Sequence, residues 1–157
     1  MASLEGWSST IELHPRVLTD RNNHSRRAHN LGGVDESLFE QVGGESFFVA
    51  LVDAFYEAVE HDETLRPMYP EDLTESKRHF MLFLVQYWGG PGTYMAERGH
   101  PRLRMRHAPF RITKDARDAW LGAMATALSS VRAQLNDDQF EELNAYFAMA
   151  AQQMRNV

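Results

Sequence analysis

The chain has 157 residues, 43% of them hydrophobic and 24% charged, with a formal net charge of −6 and no cysteine. That length accommodates one domain with a core large enough to enclose a cofactor, and the composition is that of a folded globular protein. The missing cysteines exclude disulfides, a thiol nucleophile, thiolate zinc and iron–sulfur clusters, while the acidic balance speaks against nucleic acid, whose phosphates call for a basic surface.

Residues 1–35 show no apolar periodicity and carry Pro15, the polar run Arg21–Arg27 and then Gly32-Gly33. They read as a flexible N-terminal extension, a solvated tail in which Glu5, Glu12, Asp20 and Asp35 offset the arginines, ahead of a domain over 36–157. Neither a basic leader nor an uncharged apolar run of about 18 residues is present, so the expected setting is the cytoplasm, with no membrane partner.

From Asp35 the pattern turns helical. A short segment over 37–42 stops at Gly43-Gly44, and a longer one starts at Glu45, with Phe48, Leu51, Val52, Phe55 and Val59 on one face. Tyr56 falls at the edge of that face, its hydroxyl inward. Pro67 and Pro70 make 61–73 a corner that bears Tyr69. A helix over 74–88 follows, with Phe80, Phe83, Leu84, Tyr87 and Trp88 in register, ended by Gly89-Gly90-Pro91-Gly92. Beyond a loop with few order signals, Pro101 to Ala108 predicts a brief helix on which Leu103 and His107 share a face. Thr113 caps the next helix, whose inner face is Ala116, Ala119, Trp120, Ala123, Met124, Ala127, Leu128 and Val131; the last starts after Asn136 or Asp137 and presents Phe140, Leu143, Phe147, Ala151 and Met154. No stretch alternates with period two, so the predicted architecture is all-α with four substantial helices.

There is no phosphate-binding glycine loop, no His-Glu-x-x-His pair and no Gly-x-Ser-x-Gly elbow, and no two of the seven histidines stand three or four apart. A protein-only zinc site is therefore not expected. His107 stands apart because Arg102, Arg104, Arg106 and Arg111 crowd around it. The plain reading is a basic surface turn with a satisfied buried histidine. An imidazole on an apolar helix face, with cations beside it, also suits a flat apolar macrocycle that wants a neutral nitrogen at its centre and carries carboxylates at its edge, which describes haem. A free carboxylate ligand or an acidic protein would satisfy the same arginines. Tyr56, Tyr69 and Trp120 each bring one donor into apolar surroundings; singly they are ordinary amphipathic packing, together they would be donors for a buried polar ligand.

The motifs Phe55-Tyr56, Tyr69-Pro70 and Tyr87-Trp88-Gly89-Gly90-Pro91 resemble the group II truncated haemoglobins, as do the run from Arg98 through His107-Ala108-Pro109-Phe110 and then Asp118-Ala119-Trp120. The resemblance spans about residues 36–155. It implies a truncated globin two-over-two helical sandwich enclosing haem b, with His107 as the proximal iron ligand and Tyr56, Tyr69 and Trp120 on the distal side. By the same resemblance Ser76 takes the position where many globins place a distal histidine, Phe80 and Phe83 wall the pocket, Leu103, Phe110, Met124 and Phe147 pack on the macrocycle, and Arg104 or Arg106 meets the propionates. The extension over 1–35 departs from the family pattern.

The implied function is reversible binding of dioxygen, carbon monoxide, nitric oxide or another small ligand, for oxygen storage, transport or redox chemistry, by a monomer or homodimer. The first alternative is a haem enzyme, a nitric oxide dioxygenase or a peroxidase with Tyr56 or Tyr69 as radical sites, supplied with electrons by an external reductase. The second, from another class, is a cofactor-free helical interaction module whose arginines dock an acidic partner.

Overall fold

Short capping motifs decide where the helices begin. In the computed structural model, which describes residues 35–157, α1 (Leu38–Gln41) opens at Ser37. The Ser37 hydroxyl accepts from the Glu40 N–H at 3.3 Å, while the Glu40 carboxylate accepts from the Ser37 N–H at 3.1 Å. The predicted extension over 1–35, Asp35 apart, lies outside the described residues.

Gly43 and Gly44 then turn the chain into α2 (Glu45–Glu60). To the predicted face of Phe48, Leu51, Val52, Phe55 and Val59 this helix adds buried Phe47 and Tyr56. A side chain such as Phe55, with no exposed surface, contributes about 1.5–3 kcal/mol through burial. The predicted corner holds one short helical turn, Arg66–Met68, and the Arg66 guanidinium donates to the carbonyls of Pro70 and Glu71, each at 3.0 Å, which pins the bend.

α3 (Thr74–Tyr87) is buried at Ser76, His79, Phe80, Leu82, Phe83, Leu84 and Val85. It ends where Gly89 takes φ +105°, and a Cβ there would lie 2.5 Å from Ser37 Cβ, so only glycine lets α1 close on the end of α3. The Phe39 N–H donates to the Trp88 carbonyl at 3.0 Å across that seam.

Where the sequence predicts a loop, the structure has α4 (Thr93–Arg98), in which Tyr94 alone is buried. A bidentate Arg78–Glu97 pair, both contacts 2.6 Å, ties it to α3. α5 (Leu103–His107) begins two residues later than Pro101 suggests, because Arg102 adopts a left-handed φ of 41°. α6 (Lys114–Ser130) starts as predicted at Thr113, whose hydroxyl accepts from the Ala116 N–H at 3.2 Å.

α7 (Asp137–Met154) is capped by Asn136 in reciprocal contact with Gln139. Its buried face is Leu143, Tyr146, Phe147, Ala150, Ala151 and Met154. Phe140 is only half-buried and lies under the Arg132 guanidinium, 4.7 Å from its ring centroid.

The long helices pair as α2 with α3 and α6 with α7, and the most extensive interface, α2 on α6, joins the two pairs. Among the described residues there is no strand, and no helix is long and apolar enough to cross a membrane.

Candidate functional site

Where α2, the proline corner, α3 and α6 meet, their aromatic side chains converge. Tyr56 and Tyr69 pack edge to face with ring centroids 5.6 Å apart, and Phe55 lies 5.1 Å from Tyr56, 5.4 Å from Phe80 and 5.3 Å from Trp120. Burial pushes the Tyr69 phenol well above its usual pKa and nearby Tyr56 adds to this, while a hydrogen bond with the Trp120 side chain works the other way. The hydroxyls of Tyr56 and Tyr69 and the indole N–H of Trp120 are thus parts of one polar knot inside an apolar shell. Ser76, buried in the first turn of α3, is the fourth predicted polar residue on these elements.

His107 sits at the end of α5 and is 2% exposed. Its Nδ1 lies 2.7 Å from the Leu103 carbonyl oxygen, an atom that can only accept, so Nδ1 carries the hydrogen and Nε2 keeps the lone pair. Burial lowers the imidazole pKa to about 4; the Leu103 bond opposes that shift and the Arg106 charge adds to it. At neutral pH the ring is an uncharged nitrogen donor. Leu103, one turn earlier, is buried too and holds the apolar side of α5.

A cavity of about 20 Å³ joins the two sides, bounded by His107 together with Phe80, Trp120, Tyr146, Phe147 and Met154. At that size it has room for a water molecule. A larger planar guest requires α5 to part from α3 and α7. On the outer side of His107 a cleft of about 580 Å³ opens to solvent, lined by Arg104, Phe110, Arg111 and Arg155 among others.

The remaining predicted residues separate. Phe83 lies beside Tyr94, centroids 5.6 Å apart, and Met124 is buried in the core one turn after Trp120. Arg104 is exposed on the rim of the outer cleft; Arg106 is half-buried and donates to the Arg98 carbonyl at 3.1 Å. Tyr146 and the His79–Arg98 contact are given no role by the sequence pattern. Tyr146 borders the small cavity, and buried His79 receives Arg98 at 2.9 Å, with Glu75 3.5 Å away. The arginine beside His79 comes from 19 positions along the chain, beyond any local spacing rule.

Among the described residues no three His, Cys, Asp or Glu side chains stand close enough to cage a metal ion. A metal bound by His107 finds no such cage among those residues, and a macrocyclic nitrogen donor set would supply the ligands that the imidazole does not. The neutral Nε2, the aromatic walls and the cations at the rim fit such a group in chemistry; the small cavity fits it only once the helices part.

The family model for bacterial-like globins matches residues 37–155. This chain belongs to the bacterial-like globins. A group 2 truncated haemoglobin of Bacillus subtilis is 50% identical over 88 residues, 56% of this chain and 67% of that protein. The two-on-two haemoglobin-3 of Arabidopsis thaliana is 31% identical over 135 residues, 78% of this globin and 75% of the plant protein. Among solved structures, the haemoglobin of Chloroflexus aurantiacus superposes with a TM-score of 0.74 at 49% identity, covering 78% of this globin and all (100%) of that chain. The truncated oxygen-avid haemoglobin of Bacillus subtilis superposes at 0.72 with 42% identity, covering 77% and 100%. The two helix pairs, α2 and α3 against α6 and α7, are the two-over-two sandwich of the truncated globins.

Proposed function

We propose that this globin binds haem b through His107 Nε2 and holds a small gas, dioxygen first, against Tyr56, Tyr69 and Trp120. The observation that carries the reading is the shared cavity: a buried neutral imidazole and a buried indole donor border the same apolar space from α5 and α6. When bound, the haem supplies a redox-active iron able to take a diatomic gas.

The chain supplies the rest. The Leu103 carbonyl holds the imidazole by its Nδ1 hydrogen, which fixes both tautomer and ring orientation. Phe80, Leu103, Met124 and Phe147 exclude water, with Ser76 and Phe83 on the α3 wall and Phe110 on the side of the outer cleft. Arg104 and Arg106 supply cations for the propionates. The two phenols and the indole donate to negative charge on the gas, each bond contributing about 1.5–3 kcal/mol, roughly tenfold to a hundredfold in affinity. Slow oxygen release follows, which suits storage, sensing or chemistry on the gas better than bulk transport. Carbon monoxide and nitric oxide would enter the same pocket, and we place the protein in the cytoplasm, with an external reductase as its electron donor.

The test is an absorption spectrum of the wild type and of His107→Ala, each reconstituted with haem, reduced and exposed to carbon monoxide. A Soret band with a reversible carbon monoxide shift that is lost in the variant is the expected result. Failure of the wild type to take up haem would sink the reading and promote the acidic-partner module.

A second reading, redox turnover on peroxide or nitric oxide, gains support from one observation: oxidisable rings extend from the cavity toward the surface.

A further inference from the structure

Tyr146 borders the same cavity as His107 and Trp120, and its ring stacks on Tyr87 with centroids 4.3 Å apart and an interplanar angle of 30°. The rings are tilted but close, and the contact gives an electron a short path between them. Tyr146 is 2% exposed, whereas Tyr87, the last residue of α3, is half-buried with a side that reaches solvent. Glu142 lies one turn before Tyr146 on the same face of α7, is exposed, and its charge acts on the Tyr87 phenol. Trp88 packs edge-on against both tyrosines, at 5.0 and 5.4 Å, and keeps the pair from splaying.

We propose that Tyr146 and Tyr87 form a relay that carries single electrons from the protein surface to the His107 cavity, and that Tyr87 is the site where small phenolic donors are oxidised at the expense of a hydroperoxide. The proposal rests on the haem reading above.

Phenols give up an electron readily only when their proton can leave. Tyr56 and Tyr69 are buried at 1% and 6% exposure, so an electron taken from either cannot be replaced by a donor in solution. At the Tyr146–Tyr87 pair the electron deficit settles on Tyr87, because there the phenol reaches solvent, the Glu142 charge acts on it and a donor can approach.

The balance closes with two passages. The O–O bond of the hydroperoxide breaks, taking up two electrons and two protons to give an alcohol and water, or two waters where the oxidant is hydrogen peroxide. Each electron passes inward from Tyr87 through Tyr146 while the Tyr87 proton leaves to Glu142 or solvent, and each Tyr87 radical is restored by one hydrogen atom from a donor phenol. Two donor phenoxyl radicals leave.

The experiment treats haem-reconstituted full-length protein with hydrogen peroxide and a nitroso spin trap, then maps adducts by mass spectrometry, alongside freeze-quench electron paramagnetic resonance. A Tyr87 adduct is expected in the wild type. It should vanish in Tyr87→Phe and fall severalfold in Tyr146→Phe, which keeps the packing ring but cannot be oxidised. Glu142→Gln should lower it as well, and guaiacol oxidation should slow in all three while the carbon monoxide Soret shift stays intact. Adducts confined to Tyr56 or Tyr69, or equal Tyr87 labelling in wild type and Tyr146→Phe, would overturn the relay and leave the haem reading standing. Absence of haem uptake by the wild type would overturn both.

Discussion

The aromatic cluster and the histidine it faces are built on different foundations. Tyr56, Phe80 and Trp120 project from helices of 14 to 17 residues whose inner faces are buried for their whole length. His107 ends a helix of five residues, entered through a left-handed Arg102 and followed by Pro109. Few contacts fix this short helix: the Leu103 carbonyl holds the imidazole within it, and Asn156, beyond α7, ties down the chain that follows it, accepting from the Ile112 N–H at 2.9 Å and donating to the Phe110 carbonyl at 2.7 Å. The donor side is therefore part of the folding core, while the ligand side can yield to a guest without unfolding the domain.

Substitutions should separate the two sides, and the largest effect belongs to the cluster. Phe55→Ala empties the centre of three aromatic contacts and is expected to cost about 3–5 kcal/mol, read from the urea midpoint. A cost below about 1 kcal/mol would mean that the cluster is no more essential than α5. Trp120→Phe keeps the ring packing and removes one donor; in the haem-loaded protein oxygen dissociation should quicken by roughly tenfold, with little change in stability. An unchanged rate in both this variant and Tyr56→Phe would remove these donors from the gas site.

Asn156→Ala, on the compliant side, should cost about 1–2 kcal/mol. Its sharper signature is hydrogen exchange: amides of α5 should open well before those of α2, and equal acceleration in both would contradict the division. The smallest effect is alkaline. Burial, with Glu142 nearby, raises the Tyr87 phenol from 10.0 to about 12. The unfolded chain releases that proton first, so the stability held by the neutral phenol is present below pH 10 and lost as pH climbs toward 12. Because Tyr87 is partly solvated the loss is modest, and Tyr87→Phe should flatten it in a series of melts from pH 9 to about 12.

Legibility in the sequence follows the same division. The long helices were readable because burial repeats along them with the helical period, and Thr113 and Asn136 mark their starts with side-chain oxygens that do cap. α4 was not readable: one buried residue in six makes no period, and the helix is held by Arg78, far back in the chain. At the site, residue types pointed to donors on α2, the corner and α6, but convergence is a property of packing. Tyr146 was passed over because Phe140 competes for the same helical face in the pattern, and only the structure shows Phe140 drawn aside beneath Arg132. His79 with Arg98 illustrates the same limit, two residues joined by tertiary approach and by no spacing.

The seam between α1 and the end of α3 has a consequence for sequence tolerance. Gly89 combines a positive φ with a Ser37 Cβ 2.5 Å from where its own side chain would begin, and at Gly90 a Cβ would meet Val85 at 2.7 Å and the Phe39 ring at 2.9 Å. Gly122, by contrast, has open space around it. In a saturation library the first two positions should return glycine almost alone and the third nearly anything that suits a helix, so a few dozen bases around codons 89 and 90 would record the α1 contact as clearly as a structure does.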